Sequence, residues 1–342
     1  MNKKIDGIRQ RRPEIKEARR DVALSGKLGR RNKRKISTAS AATKPGLHRL
    51  WTRTVIVFCV MVVVYYFATK EKEKKFATVQ ERNLIRFQNI TCAPAYLQEV
   101  KIFPQCVPSF CGRFVNDRLI HFREVEGLLE IAKNGMALGG SLGGASIFDL
   151  NTGTLSKGKH FVNVYNMSQA KDIFKEEHML IYKNVKAKIK KAIAEQFRID
   201  ENSLYPTYPS FFSRITNSSA KTIHDEYWHP HVDKETYEAF HYTSLLYLTD
   251  YGKDFTGGRF VFIDKKANMT IEPVRGRVSG FTSGAENSHF VEKVISGTRY
   301  ALTVSFTCNP EKAIADLKLR VGDKNHTTTE EGLDPGNDRD QT

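Results

Sequence analysis

Three side chains that could bind one metal ion occur in the second half of the chain. His231 and Asp233 are two residues apart in the segment WHPHVD, and His289 follows after several strand-like segments. Two imidazoles and one carboxylate can occupy one face of an octahedral metal ion and leave three positions open, an arrangement that suits non-haem Fe(II) in oxygen chemistry. His229 is also two residues from His231, but only His231 has an aspartate two residues after it. His231, Asp233 and His289 are therefore the candidate ligands.

The spacing of His231 and Asp233 is weak evidence on its own. With ten histidines and sixteen aspartates in the chain, chance supplies about half of one such spacing. The alternative interpretation is a surface turn in which an aspartate caps a histidine. In a strand, residues two apart point to the same face, so both side chains could reach one ion while Val232 packs away from it.

Arg299 could bind an acidic co-substrate beside this site. Strand alternation in TRYALTVSF places Arg299 on one face with Ala301, Thr303 and Ser305, opposite an apolar face. A guanidinium binds a carboxylate through two parallel hydrogen bonds, and it is always charged. The alternative is an edge-strand arginine in a surface ion pair. The order of HVD, His289 and Arg299 favours the first interpretation.

The order of these motifs resembles a known family. HVD is followed by YL at Tyr247, by GG-x-x-x-F and by H-x9-R. The pattern resembles the catalytic domain of prolyl 4-hydroxylase-type 2-oxoglutarate and Fe(II)-dependent dioxygenases over about a third of the chain. The resemblance implies an α+β fold in which a double-stranded β-helix (jelly roll) is supported by helices. It also implies that Arg299 binds the distal carboxylate of 2-oxoglutarate and that Tyr247 assists it, although Tyr247 could equally be a core residue.

The resemblance implies an enzyme and its co-substrates. It implies a hydroxylase that holds Fe(II) through His231, Asp233 and His289, consumes O2 and 2-oxoglutarate, releases succinate and CO2, and uses ascorbate as reductant. Family members often have tyrosine where this chain has Trp228, so the specific substrate cannot be inferred from prolyl hydroxylases. The substrate is expected to be a protein, with the modified residue left open. Two alternatives are a non-catalytic interaction module on the same fold and a glycosyltransferase. A glycosyltransferase would bind the metal of its nucleotide sugar through an Asp-x-Asp motif, and the folded region lacks this motif.

Several elements must position these residues. Alternating apolar residues from Pro209 onwards predict short strands. Amphipathic spacing predicts a short helix over 123–135 and a longer one over about 168–197, whose apolar ladder includes Val185 and Ile189. The glycines of 139–146 lack the strand, lysine and helix of a phosphate-binding loop, so we expect a flexible connection there.

The positive charge of the chain is concentrated before a hydrophobic run. Residues 1–53 contain seventeen Lys/Arg and four Asp/Glu, so 17 − 4 = +13 of the net +16 lies there, which argues against a nucleic-acid groove in the folded part. Sixteen uncharged residues follow at 54–69, and we expect one transmembrane helix with the N-terminus in the cytoplasm. A buried core helix and a cleaved signal peptide are the alternatives; the second is disfavoured by the length of the preceding tail.

Cysteines and sequons predict the compartment of the remaining chain. Cys92, Cys106, Cys111 and Cys308 follow the run and allow three pairings, among which the sequence does not choose. All five N-x-S/T sequons also follow it. These features predict a single-pass type II protein of the endoplasmic reticulum or another secretory-pathway membrane, with a luminal catalytic domain.

The predicted organisation has six parts. They are a basic cytoplasmic tail (1–53), a transmembrane helix (54–69), a charged stem (70–90), a luminal helical region (91–204), the dioxygenase domain (205–310) and a polar tail (311–342).

Overall fold

The computed structural model describes most of the chain. The described residues are 46–69, 73–141, 143–170, 173–222 and 227–315. Residues 1–45 of the predicted basic tail and residues 316–342 of the polar tail, with the sequon at Asn325, lie outside them. The chain divides into two units, Met1–Tyr66 and Phe67–Thr342.

The described part of the first unit is helical. Helix α1 (Gly46–Thr69) includes the uncharged run at 54–69 and extends into the next unit. Its large apolar side chains between Val55 and Val64 are exposed. Within the described ranges, the structure contains no helix that is long and apolar enough to cross a membrane. The transmembrane helix therefore stays a prediction from the sequence.

The second unit mixes helices and strands. Its helices are α2 (Pro94–Val100), α3 (Phe122–Ala137), α4 (Glu176–Phe197) and α5 (Asp233–Thr236). Its strands are β1 (Glu73–Ala77), β2 (Ile85–Ile90), β3 (Cys111–Asn116), β4 (Gly140–Ser141), β5 (Ala145–Phe148), β6 (Thr154–Gly158), β7 (His160–Asn163), β8 (Tyr205–Thr216), β9 (Tyr242–Tyr247), β10 (Phe255–Gly257), β11 (Phe260–Phe262), β12 (Asn268–Ile271), β13 (Val278–Thr282), β14 (His289–Val291) and β15 (Val294–Thr307).

The described strands form two sheets. The smaller has the order β1-β12-β11-β14. The larger has the order β2-β3-β13-β9-β15-β8-β5-β6-β4, with β10 paired to β15 and β7 to β6. Helices α3 and α4 share the main apolar core with the larger sheet, through buried side chains that include Leu128, Ile189, Phe212 and Leu302. The fold is therefore the mixed helix and sheet type that the sequence predicts.

The first half of the unit contributes more strand than expected. The predicted stem, 70–90, contains β1 and β2, and the predicted helical region, 91–204, contains β3 to β7. In β1, Phe76 and Ala77 are buried while the charged residues before them are exposed. Strand β1 pairs in parallel with the distant β12, and β2 pairs with β3. The composition of residues 70–90 shows their charges but not the strands with which they pair. The sequence therefore predicted a charged stem where the structure has strands.

The longer predicted helix is shortened at its start. Residues Ser168–Ala170 form a 3-10 turn, and α4 begins only at Glu176. Its apolar ladder is buried as expected, including Val185 and Ile189. The glycine-rich segment 139–146 connects α3 to β5 and contains the two-residue strand β4.

The structure selects one of the three cysteine pairings. Cys92 is bonded to Cys111, and Cys106 is bonded to Cys308. The second bond joins the segment after α2 to the residue that follows β15. A covalent link between such distant positions stabilises the fold by restricting the unfolded chain.

A buried histidine precedes β9. His241 has 2% of its surface exposed, and its Nε2 lies 3.6 Å from Oε1 of Glu99. Glu99 is also paired with the ammonium group of Lys234, which offsets its attraction. Burial first, and the positive charge of Lys234 second, lower the pKa of His241 to about 3. The ring is therefore neutral in the folded protein near neutral pH.

We expect the protein to lose stability on acidification because of His241. The unfolded chain binds a proton there at about pH 6.5, whereas the folded ring does not until pH falls to about 3. The folded state is thus disfavoured progressively below about pH 6.5, by about 2 kcal/mol between pH 7 and pH 5. Urea unfolding of full-length wild-type and His241→Gln proteins at both pH values measures this. Equal pH dependence in the two proteins would contradict it.

Candidate metal centre

Two histidines far apart in sequence are joined through their backbones. His289 begins β14, and His231 forms an isolated antiparallel bridge with it. The amide of each donates to the carbonyl of the other, at 2.9 Å and 3.0 Å. The two imidazole centroids are consequently 4.4 Å apart. Strand pairing therefore brings the two rings close together, independently of the conformation of the segments between them.

Asp233 completes the cluster from the start of a short helix. The sequence predicts a strand through HVD, but Asp233 is the first residue of α5. Val232 before it is extended and buried, so Asp233 still points to the side of His231. Its Oδ1 lies 3.5 Å from Nε2 of both His231 and His289. The potential ligand atoms of the three residues all lie within 4.8 Å of one another.

Backbone carbonyls orient both imidazoles. Nδ1 of His289 is 2.8 Å from the carbonyl oxygen of Asn287, and Nδ1 of His231 is 3.0 Å from that of His229. A carbonyl only accepts, so each Nδ1 is the protonated nitrogen. Each Nε2 is then the free nitrogen, and it faces Asp233. This second contact on each ring is usual for metal-binding histidines.

The pKa values agree with a carboxylate beside a neutral imidazole. Burial acts to raise the pKa of Asp233, but the attraction of His289 and a hydrogen bond from His231, both present when the imidazoles are protonated, lower it overall. Burial lowers the pKa of His289 despite the attraction of Asp233. Burial also acts to lower the pKa of His231, yet Asp233 and the His229 carbonyl raise it overall. Asp233 and His289 thus favour the deprotonated forms that a divalent metal ion needs, whereas at His231 a metal ion would compete with a proton.

The cluster is enclosed on the side of His289 and open on the side of His231. The side chain of His231 is 41% exposed, whereas those of Asp233 and His289 are 11% and 5% exposed. Phe260 stacks on His289 at 4.8 Å, and Phe281 lies edge-on at 5.0 Å. Of the three ligand side chains, that of His231 is therefore the one that a large molecule can reach.

Arg299 is a buried charge that has no counter-ion in the part of the chain that the structure describes. It is 1% exposed on β15, and its Nε donates to the carbonyl of Gly258 at 3.0 Å. Its Nη2 is buried without an acceptor among the described residues, where Arg299 also forms no ion pair. Burial lowers its pKa, opposed by Tyr247 and Tyr227, but a guanidinium remains protonated. An unpaired buried charge is costly, so this position favours an anionic ligand.

Two tyrosines lie near Arg299. Tyr247 is fully buried, with its hydroxyl 3.2 Å from that of Ser279 and its ring centroid 5.5 Å from Cζ of Arg299. Tyr227 accepts a hydrogen bond from the amide of Val294 at 2.8 Å, and it lies close enough to Arg299 to raise the pKa of that residue. Sequence reasoning missed Tyr227 as part of this pocket. Its position four residues before His231 was the sequence feature that could have indicated this role.

Comparison with known proteins identifies the family. The sequence pattern of the 2OG-Fe(II) oxygenase superfamily matches residues 218–307. A Xenopus tropicalis protein described as 2-oxoglutarate and iron-dependent oxygenase domain-containing protein 3 is 55% identical over 233 residues, which are 68% of this chain and 73% of that protein. The Homo sapiens protein of the same description is 52% identical over the same shares. The chain therefore belongs to the 2OG-Fe(II) oxygenase superfamily.

Two more distant proteins are also similar to this chain. Prolyl 3-hydroxylase 1 of Rattus norvegicus is 32% identical over 154 residues, which are 40% of this chain and 21% of that enzyme. Among solved structures, a Trichoplax adhaerens prolyl hydroxylase in complex with a peptide fragment is 14% identical, with a TM-score of 0.41 over 64% of this chain and 89% of that one.

The family uses Fe(II) and 2-oxoglutarate. The residues of this chain fit both. The free Nε2 atoms of His231 and His289 and the carboxylate of Asp233 converge as a 2-His-1-carboxylate set. The unpaired guanidinium of Arg299 suits a dicarboxylate.

We expect His231→Ala and Asp233→Ala each to weaken Fe(II) binding by at least about 100-fold, since each removes one of three protein ligands. Isothermal titration of the full-length proteins with Fe(II) under anaerobic conditions measures the affinity. His229→Ala is the matched control, because it keeps the backbone carbonyl that contacts Nδ1 of His231. Loss of binding in His229→Ala, with binding kept in His231→Ala, would exchange the assignments of the two histidines.

Proposed function

We propose that this protein is a 2-oxoglutarate- and Fe(II)-dependent dioxygenase that hydroxylates a protein side chain and releases succinate and CO2. The observation that carries the proposal is the convergence of His231, Asp233 and His289 in a chain that also buries Arg299 with no counter-ion among the described residues. Each feature is costly without a ligand, and together they match the cofactor and co-substrate of the family.

Each residue has a defined part in the proposed reaction. Bound Fe(II) supplies the activation of O2, and ascorbate serves as reductant. His231, Asp233 and His289 hold the metal and leave part of its coordination open. Arg299 pairs with the distal carboxylate of 2-oxoglutarate, and the neutral phenol of Tyr247 assists it. Burial raises the pKa of Tyr247, so the hydroxyl remains a hydrogen-bond donor.

A polypeptide substrate agrees with the shape of the site. The only one of the three ligand side chains with substantial exposure is His231, so the reactive position lies close to the surface. The prolyl hydroxylases named above support the same substrate class. We propose that the two sheets form the double-stranded β-helix of this family, with the metal ligands on its rim.

We expect the full-length protein to release succinate from 2-oxoglutarate in the presence of Fe(II), O2 and ascorbate. Arg299→Met should raise the KM for 2-oxoglutarate by about 100-fold, because it removes a charge-assisted bidentate contact. Its Fe(II) affinity should be unchanged, because Arg299 is not a ligand. Wild-type protein that binds Fe(II) and 2-oxoglutarate but releases no succinate, even with a pool of secretory-pathway peptides, would instead indicate a non-catalytic interaction module.

We also propose a location on the luminal side of a secretory-pathway membrane. Two disulfides support an oxidising compartment. Three sequon asparagines, Asn89, Asn166 and Asn217, are exposed and accessible to glycans. The membrane attachment through residues 54–69 rests on the sequence alone.

We expect full-length protein made in animal cells to carry N-glycans and to stay in the membrane fraction at alkaline pH. Treatment with peptide N-glycosidase should increase its gel mobility, and substitution of Asn89, Asn166 and Asn217 by Gln should reduce that change. Release into the soluble fraction together with an unmodified mass would contradict the location.

A further inference from the structure

Strand β3 lies outside the family match at 218–307, yet it contacts the surroundings of His289. It pairs with β13, so that Arg113 lies opposite Phe281. Two neighbouring residues of β3, Gly112 and Arg113, each contact a residue that touches His289. These contacts come from a part of the chain that supplies no ligand.

The first contact supports the backbone turn before His289. The side-chain amide of Asn287 donates to the carbonyl of Gly112 at 3.2 Å. It also donates to the carbonyl and hydroxyl of Thr282, at 2.9 Å and 3.0 Å. The carbonyl of Asn287 in turn accepts the hydrogen bond from Nδ1 of His289. A Cβ at position 112 would lie 2.2 Å from the carbonyl oxygen of Gln88, so this close approach requires glycine.

The second contact is a buried guanidinium. Arg113 is 1% exposed, and its Nη2 donates to both carboxylate oxygens of Asp264, at 2.6 Å and 2.5 Å. Its Nε donates to Oε1 of Gln88 at 3.0 Å. Its Cζ lies 4.3 Å from the ring centroid of Phe262. Asp264 is two residues after Phe262, so the ion pair of Arg113 with Asp264 holds the end of β11 against β3.

Phe262 transmits this contact to His289. The two residues are opposite each other in the pairing of β11 with β14, and their rings are 6.1 Å apart. Phe262 also lies edge-on to Phe260 at 4.9 Å and to Phe281 at 5.2 Å. Both of those rings contact the imidazole directly. The orientation of His289 therefore depends on a cluster of three phenylalanines, one face of which is covered by Arg113.

We propose that Arg113 is a positioning residue for the metal centre, acting on His289 through Phe262 while Asp264 holds its guanidinium. The inference rests on the proposed role of His289 as an iron ligand. A small rotation of this imidazole would move Nε2 away from the point shared with His231 and Asp233. Residues that orient metal ligands typically change metal affinity by about 10–100-fold when they are replaced.

A second buried arginine provides a matched control. Arg277 is fully buried, and it forms a bidentate pair with Asp117, which follows β3. Its other hydrogen bonds go to backbone carbonyls of Thr78, Glu81 and Glu272. No aromatic contact joins it to the cluster around His289 within the described residues. Loss of either carboxylate leaves a buried arginine without its counter-ion, but only Asp264 is connected to the ligand.

The test compares four variants of the full-length protein: Arg113→Met, Arg113→Lys, Asp264→Asn and Asp117→Asn. Co(II) is titrated as the probe without 2-oxoglutarate, and affinity and visible absorption spectrum are recorded beside the unfolding temperature. We expect Arg113→Met and Asp264→Asn to weaken Co(II) binding about 10-fold or more and to alter the spectrum. Arg113→Lys should restore part of the affinity, since it keeps a cation over the ring. Asp117→Asn should lower the unfolding temperature without changing affinity or spectrum.

Two outcomes would overturn the inference. One is unchanged Co(II) affinity in folded Arg113→Met, and the other is equal weakening by Asp117→Asn and Asp264→Asn, which would show a general loss of stability. If Arg113→Met does not fold, Arg113→Lys is compared in the wild-type protein and in Phe262→Leu. The lysine substitution should change Co(II) affinity only in the protein that keeps the Phe262 ring. Wild-type protein that binds no Co(II) would refute the proposed metal site itself, a distinct result.

Discussion

The metal centre depends on the pair of backbone hydrogen bonds between His231 and His289. Side chains alone would not hold two imidazoles and a carboxylate together, because their burial is unfavourable until a cation is present. The bridge fixes the two backbones, and the carbonyls of His229 and Asn287 then fix the rings. Ligand geometry is thus determined by the sheet before any ligand binds, which reduces the entropy cost of metal binding.

Three buried arginines of the second unit divide by function according to their partners. Arg113 and Arg277 each have an aspartate partner, and both join separate parts of the chain. Arg299 has none among the described residues. The same physical rule, that a buried guanidinium requires an anion, therefore explains structural cohesion at two positions and underlies the ligand binding proposed for the third. Composition cannot separate these cases, since only the pairing distinguishes them.

The sequence predicted the site better than the fold around it. The order of His231, Asp233 and His289 along the chain allowed their meeting to be predicted, and the structure brings the three together. The strands β1 and β3 could not be predicted, because their partners β12 and β13 lie far along the chain. The helix at Asp233 was missed because a single turn has no periodicity to detect. Cysteine pairing was open for the same reason as the early strands: it is decided by tertiary contacts.

The pairing of β3 with β13 also affects how the protein is made. Gly112 and Asn287 are 175 residues apart in sequence, so at about 5–20 residues per second the early strand waits roughly 9–35 s for its partner to leave the ribosome. During that time β2 and β3 have open edges and apolar side chains in a crowded compartment. The nascent chain therefore exposes strand edges that can aggregate during synthesis. Its yield in a foreign host should depend on translation speed more than on the stability of the finished protein.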